Sequence, residues 1–276
     1  MHTASSKETG GMSGKVLRLK RLLTSSDGRT VIFPLDHGVS CGPIPGLERM
    51  GDAVRLGSRG GADALVLHKG MLRFLESVQG RLPGIFMHLS ASTQLGGAFH
   101  HKVLTGTVEE ALRRGADGVS VHVNLGDEHE SQMLRDLGAV GSACAEWQIP
   151  LLVMIYVRGA HAPSPLSDSA IAHASRVAAE LGADIIKIPA PKDDEVLAGI
   201  TAGLPVPIVV AGGCKIPETR MFLERIERSL VIGARGVAVG RNVFQHSRPE
   251  PLLRAVGDIV HHGLSAAEAY EGLSAS

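Results

Sequence analysis

Aromatic residues are scarce in this chain: 3% of 276 residues, with one Trp, two Tyr and six Phe. The core must be aliphatic, and platforms of rings on which nucleic-acid bases stack are excluded. Cysteine is as sparse. Cys41, Cys144 and Cys214 stand far apart. They carry neither a disulfide framework nor a zinc ribbon, which fits a reducing cytoplasm, and each is expected to be a small buried hydrophobe. Net charge is missing altogether, with 28 Lys and Arg against 28 Asp and Glu. That removes the electrostatic case for nucleic acid or an anionic membrane as partner. No apolar run reaches the ~18 residues of a membrane span. The opening residues, MHTASSKETGGMSGK, lack the apolar core of a signal peptide. Residues 1–14 read as a disordered tail ahead of one domain, 15–276. Lysine is also rare, eight of the 28 cationic residues, so the place of each lysine is informative.

What the chain does have is alternation. Eight aliphatic or β-branched runs recur: VIFPL (31–35), ALVLH (64–68), IFMHL (85–89), GVSVHV (118–123), LLVMIY (151–156), DIIKI (184–188), PIVVA (207–211) and GVAVG (236–240). Helical stretches lie between them. In TVEEALRRG, Thr107 is placed to cap a helix with Glu110 three residues on, and DSAIAHASRVAAELG ends at Gly182 as a helix should. Strand and helix in turn imply a parallel sheet with helical crossovers. A signature decides its closure. Gly61-Ala62-Asp63, Gly115-Ala116-Asp117, Gly182-Ala183-Asp184 and Gly233-Ala234-Arg235 precede strands two, four, six and eight. A fourfold repeat of two βα units is what a closed (βα)8 TIM barrel shows, and an open doubly wound sheet has no reason for it. The first strand is followed by LDHGVSCGPIPG, which does not match a dinucleotide fingerprint. KVLRLKRLLT (15–24) forms a short amphipathic helix that is expected to plug the barrel's bottom.

Barrel chemistry sits at the C-terminal ends of the strands. Those ends carry Asp36 and His37, His68 and Lys69, His88 and Ser90, His122 and Asn124, Tyr156 and Arg158, then Lys187. Strands seven and eight end in VVAGG and AVGRN. Gly212, Gly213, Gly240 and Arg241 thus offer backbone N–H groups and a guanidinium at adjacent loops, a phosphate site in many barrels. The plainer alternative is that the glycines only make tight turns. Lys215 follows this loop and is expected to add charge to it, and Lys69 to pair with Asp36.

Lys187 interrupts the apolar run DIIKI. It faces either the barrel interior or the helical layer. A lysine at the inner end of a barrel strand is poorly solvated, which disfavours its charged form, and a neutral amine forms Schiff bases with ketones. A structural salt bridge to a strand-end carboxylate is the alternative. Tyr156 and Asp36 on other strands are suited to the proton transfers of Schiff-base carbon–carbon chemistry. His68, His88 and His122 end three consecutive strands, so zinc has to be weighed. They supply no H-x-H pair and no clear carboxylate partner, and no metal or other cofactor is expected. A sugar-phosphate-binding barrel without catalysis remains a third reading.

The segments TVIFPLDHGVSCGPIPGL, LVLHKG, TVEEALRRGADGVSVHVNLG, LLVMIYVRG, LGADIIK, PIVVAGG and GVAVGRNVFQH resemble the archaeal-type class I aldolases, in order from about residue 15 to 265. That group includes fructose-bisphosphate aldolase and 2-amino-3,7-dideoxy-D-threo-hept-6-ulosonate synthase. The likeness is greatest to the heptulosonate branch, which includes an actinomycete aldolase of 3-amino-4-hydroxybenzoate formation. The resemblance implies Lys187 as Schiff-base lysine, Tyr156 as acid/base and Asp36 as proton-transfer carboxylate. It implies Gly213, Gly240 and Arg241 at the phosphate, and His37 and Arg158 against substrate. It further implies a cytoplasmic homo-oligomer acting on a phosphorylated ketone and an aldehyde. Dihydroxyacetone phosphate with aspartate semialdehyde is the expected pair. The transaldol reaction of the heptulosonate synthase is the alternative, then fructose-bisphosphate cleavage. YVRG in place of the family's YPRG, Ile188-Pro189-Ala190-Pro191 after the lysine, and the strand-three loop SASTQLGGAFHHK depart from the family pattern. They flank the mouth, where the acceptor should lie.

Overall fold

The computed structural model describes residues 13–24, 28–162 and 167–275. Eight parallel strands close into a barrel: β1 (Thr30–Pro34), β2 (Ala64–His68), β3 (Gly84–His88), β4 (Gly118–Leu125), β5 (Leu151–Val157), β6 (Ile185–Pro189), β7 (Ile208–Ala211) and β8 (Gly236–Ala238), with β8 pairing back onto β1. Each expected run is a strand; the second matches its bounds, and the others differ by one or two residues at one or both ends. The helices are α1 (Gly14–Leu22), α2 (His37–Cys41), α3 (Met50–Arg59), α4 (Val108–Arg113), α5 (Glu130–Glu146) and α6 (Asp168–Glu180). After them come α7 (Asp194–Gly203), α8 (Thr219–Ile232), α9 (Arg241–Phe244), α10 (Pro249–Gly257) and α11 (Ala266–Ala275). Thr107 caps α4 by accepting from Glu110 N at 3.1 Å. No described helix is long and apolar enough to cross a membrane.

Two apolar layers hold the barrel. The larger lies between sheet and helices. The smaller fills the barrel, built from Ile32, Ala64, Val66, Phe86, Leu152, Met154, Ile185, Val209 and Ala238. Phe86 fits because β4 begins at Gly118, where a Cβ would stand 2.6 Å from its ring. Leu22, at the end of α1, is fully buried in this inner layer, so α1 does close the barrel's bottom. The helix starts one residue earlier than the sequence reading had it, at Gly14, with Ser13 as its cap. Residues 1–12 of the expected tail lie outside the described residues.

The repeated Gly-Ala-Asp signature proves to be the fastening of that plug. Gly61, Gly115, Gly182 and Gly233 all have positive φ, 80°, 78°, 96° and 128°, which a glycine adopts without strain. The three aspartates accept from an N–H in the first two residues of a neighbouring strand: Asp63 from Val31 (2.7 Å), Asp117 from Ile85 (3.0 Å), Asp184 from Leu151 (2.9 Å). They also hold the N-terminal segment. Lys15 pairs with Asp184 at 2.9 Å, Arg21 with Asp117 at 3.0 Å, and Thr24 donates to Asp63. All this lies at the end of the barrel away from the chemistry.

Candidate active site

Side chains alternate along a strand, so residues two apart share a face. Ile185 lies in the inner layer, and Lys187 therefore points into the barrel. The same parity carries Asp36 beyond Ile32, His68 beyond Val66, His88 beyond Phe86 and Tyr156 beyond Met154. These side chains line one cavity of about 600 Å³ at the strands' C-terminal ends, with His37, His122, Arg158 and Arg241 in the same wall.

Lys187 is 8% exposed, and its Nζ contacts Met154 Sδ at 3.8 Å. Among the described residues no carboxylate pairs with it, so it is not half of a structural salt bridge. Asp36 faces two imidazoles instead, His37 at 3.6 Å and His88 at 3.7 Å. Burial alone would raise the Asp36 carboxyl. The attraction of His88, His37, Lys187 and His68 outweighs it and holds the group well below the usual carboxylate range.

The histidines are hydrogen-bonded mouth residues. His88 Nδ1 meets Ser120 Oγ at 2.8 Å, and His122 Nε2 meets Asn124 Oδ1 at 3.0 Å. Among the described residues, no group of three or more His, Cys, Asp or Glu side chains is placed to hold a metal ion. Burial pushes His88 down to about 3, against the pull of Asp36, and pushes His122 well below its ordinary value. Burial also lowers His37 and His68.

These imidazoles are expected to make the protein acid-labile. An unfolded imidazole binds its proton near pH ~6.5, whereas native His88 does so only at about 3. Between those values the unfolded state holds more protons, so stability falls as pH falls, by roughly 1.4 kcal/mol per unit for each such histidine. Asp36 works in the other window: its depressed value adds stability that is lost only below ~3.9. Urea unfolding across about pH 7 to about pH 4 is expected to show the loss, and His88→Gln to flatten it. A flat wild-type profile contradicts buried neutral histidines.

The loops after β7 and β8 are organised by Asn242. Its Nδ2 donates to Gly212 O (2.9 Å) and Cys214 O (3.2 Å), and its Oδ1 accepts from Ile216 N (2.7 Å). Arg241 Nη2 donates to Gly213 O at 3.2 Å, which ties the two loops together. Gly240 lets His37 approach, since a Cβ there would stand 2.9 Å from its ring. The expectation of a free N–H fails at Gly212, whose amide is taken by Ala238 O at 2.9 Å. Gly213 and Gly240 keep theirs among the described residues. Lys69 pairs with Glu110 at 3.2 Å rather than with Asp36. Lys215 donates to Gln245 O at 2.7 Å and lines a separate hollow. Of the cysteines only Cys144 is buried, which lifts its thiol to about 12; Cys41 and Cys214 are exposed. Lys102 and Phe99 also line the mouth. Their loop stood out as a departure from the family pattern, but no periodicity marked the two residues, which stand outside any strand where a short antiparallel pairing of Ser90–Ala91 with Val103–Leu104 folds the loop back.

A family model described as DeoC/LacD family aldolase matches residues 30–246. The 2-amino-4,5-dihydroxy-6-oxo-7-(phosphonooxy)heptanoate synthase of Streptomyces griseus is 41% identical over 246 residues, 89% of this chain and 90% of the relative. The 2-amino-3,7-dideoxy-D-threo-hept-6-ulosonate synthase 1 of Archaeoglobus fulgidus is 38% identical over 263 residues, 95% of this chain and 97% of the relative. Among solved structures, a Schiff-base-forming fructose-1,6-bisphosphate aldolase superposes with a TM-score of 0.82 at 28% identity, covering 90% of this chain and 100% of that one. An archaeal fructose-1,6-bisphosphate aldolase whose catalytic lysine is covalently bound to a carbinolamine intermediate gives 0.81 at 27% identity, with 89% and 99% covered.

Proposed function

Since the chain belongs to the DeoC/LacD family of aldolases, we propose that it is a class I aldolase joining dihydroxyacetone phosphate to L-aspartate 4-semialdehyde. The observation that carries this reading is Lys187: buried, inward-facing, without a carboxylate partner, and in one cavity with Asp36 and Tyr156. The product is a phosphorylated seven-carbon amino acid, the compound for which the Streptomyces griseus relative is named.

The reaction starts with the unprotonated Lys187 amine adding to the donor ketone to give a carbinolamine. Loss of water leaves an iminium cation, and the ionised Asp36 in the same cavity favours that charge. A proton leaves the neighbouring carbon to Tyr156 or Asp36, and the electron pair becomes an enamine. The enamine carbon bonds to the aldehyde carbon, whose oxygen takes a proton. Water then hydrolyses the iminium and frees Lys187. Phosphate held by the Gly213 and Gly240 N–H groups and by Arg241 fixes the donor against the amine. Arg241→Met is expected to raise the donor KM by about 10-fold to 100-fold with a smaller fall in kcat. An unchanged donor KM contradicts the phosphate assignment.

Incubation of both substrates, with the product read by mass, tests the pairing. A phosphorylated seven-carbon amino acid supports it. Turnover only with a deoxy-ketohexose phosphate as donor favours the transaldol reaction of the Archaeoglobus relative. The free thiols Cys41 and Cys214 suit a reducing cytoplasm. A homo-oligomer is expected, and light scattering on the purified protein measures it.

A further inference from the structure

The cavity has two cationic poles. Arg241 stands at one, after β8. Lys102 and Arg158 stand at the other, on the loops after β3 and β5. The order of strands around the barrel sets β7 opposite β3, and β8 opposite β4. A donor held by its phosphate after β7 and β8 leaves the far side of the mouth, around β3 to β5, for the second substrate.

Lys102 is built into that far side. It is 7% exposed, and its backbone is fixed. Its own N–H donates to Met133 Sδ at 3.4 Å, and the next residue, Val103, pairs with Ala91. Its Nζ donates to Ser92 Oγ and sits 4.6 Å from the centroid of the Phe99 ring. Arg158 stands over Tyr156, its Cζ 4.1 Å from the ring centroid. Among the described residues neither Lys102 nor Arg158 has a carboxylate in ion-pair contact, whereas Lys69 nearby on the surface has Glu110. Burial weighs against the charged form of Lys102, and Arg158 adds to that, with only Asp36 and Cys41 in its favour. A buried ammonium without a counter-ion is costly, and the arrival of an anion relieves the cost.

We infer that Lys102 and Arg158 receive the carboxylate of the acceptor aldehyde and select acceptors that carry one. This rests on the aldolase reading. One ammonium and one guanidinium match the two oxygens of a monoanionic carboxylate, while Ser92, whose Oγ donates to Phe99 O at 2.7 Å and accepts from Lys102, positions the ammonium. The open glycine N–H groups that suit a phosphate are at the other pole. An anion bound between Lys102 and Arg158 would also hold the aldehyde beside Tyr156, the proposed proton carrier. The departures of the strand-three loop from its family pattern then have a physical meaning, because that loop supplies Ser92, Phe99 and Lys102.

The test compares Lys102→Met and Lys102→Arg with the wild type, using dihydroxyacetone phosphate as donor. The acceptors are aspartate semialdehyde, propanal and glyceraldehyde 3-phosphate. Borohydride trapping of the donor is run on each protein. In Lys102→Met the ratio of kcat/KM for aspartate semialdehyde over propanal is expected to fall about 30-fold, the worth of a charge-assisted contact. Lys102→Arg is expected to restore most of it, and the donor adduct to form in all three proteins. Three results overturn the inference: an equal loss on both uncharged and carboxylate aldehydes, no loss on aspartate semialdehyde, or a selective loss on the phosphorylated aldehyde. Absence of a donor adduct in the wild type instead sinks the Schiff-base reading, and the inference with it.

Discussion

Lys187→Ala is expected to lower turnover by at least about 10⁴-fold while the barrel stays folded. The two halves of that expectation have separate causes. Activity goes because the iminium has no other amine to form on: Lys102 and Lys187 are the lysines lining the cavity, and Lys102 sits at its far wall. The fold survives because Lys187 makes no ion pair among the described residues, and its Nζ meets only a thioether at 3.8 Å. Truncation removes methylenes and leaves a small cavity at the mouth, at a cost of about 1–3 kcal/mol, offset by the removal of a poorly solvated amine. Lys187→Met, which keeps the volume, is expected to lose the same activity with a smaller change in Tm. Turnover and thermal unfolding measured on both variants check this. A folded variant that still turns over removes Lys187 from the chemistry.

Tyr156→Phe separates the nucleophile from the proton carrier. The substitution removes one hydroxyl and keeps the ring, so the packing of His122 at 5.0 Å and of Arg158 at 4.1 Å persists. Overall turnover is expected to fall by about 10² to 10⁴, the usual worth of general acid–base catalysis, while the donor still forms its trappable adduct. Rate and adduct are read on the same preparation. Turnover within about threefold of wild type, or loss of the adduct along with the rate, contradicts the role given to Tyr156. Asp36 is a less clean probe, because its carboxylate also faces His37 and His88 at 3.6 and 3.7 Å, and an amide there would disturb both.

Much of this was legible in the sequence because it is periodic. The strands declare themselves as aliphatic runs, and parity along a strand then decides which way each end residue points. Lys187 stood out because it interrupts a buried run; its direction, into the barrel or toward the helices, was settled only by the place of Ile185 in the inner layer. The repeated Gly-Ala-Asp was legible as a repeat, but its purpose was not. The aspartates fasten α1, and their partners Lys15, Arg21 and Thr24 lie between 39 and 169 residues away in the chain. Pairings of that kind depend on the closed barrel, and so did the errors. Lys69 seemed free to reach Asp36 because the position of Glu110 on α4 was not known. Gly212 seemed to offer its N–H because the last ladder bond to Ala238 was not counted. Lys102 had no periodic pattern to betray it.

The most direct test of the central claim is borohydride reduction in the presence of dihydroxyacetone phosphate, read by intact mass and peptide mapping. The account predicts one reduced donor adduct per chain, on the peptide carrying Lys187. An unmodified chain that still binds the donor, or an adduct on a different lysine, contradicts it.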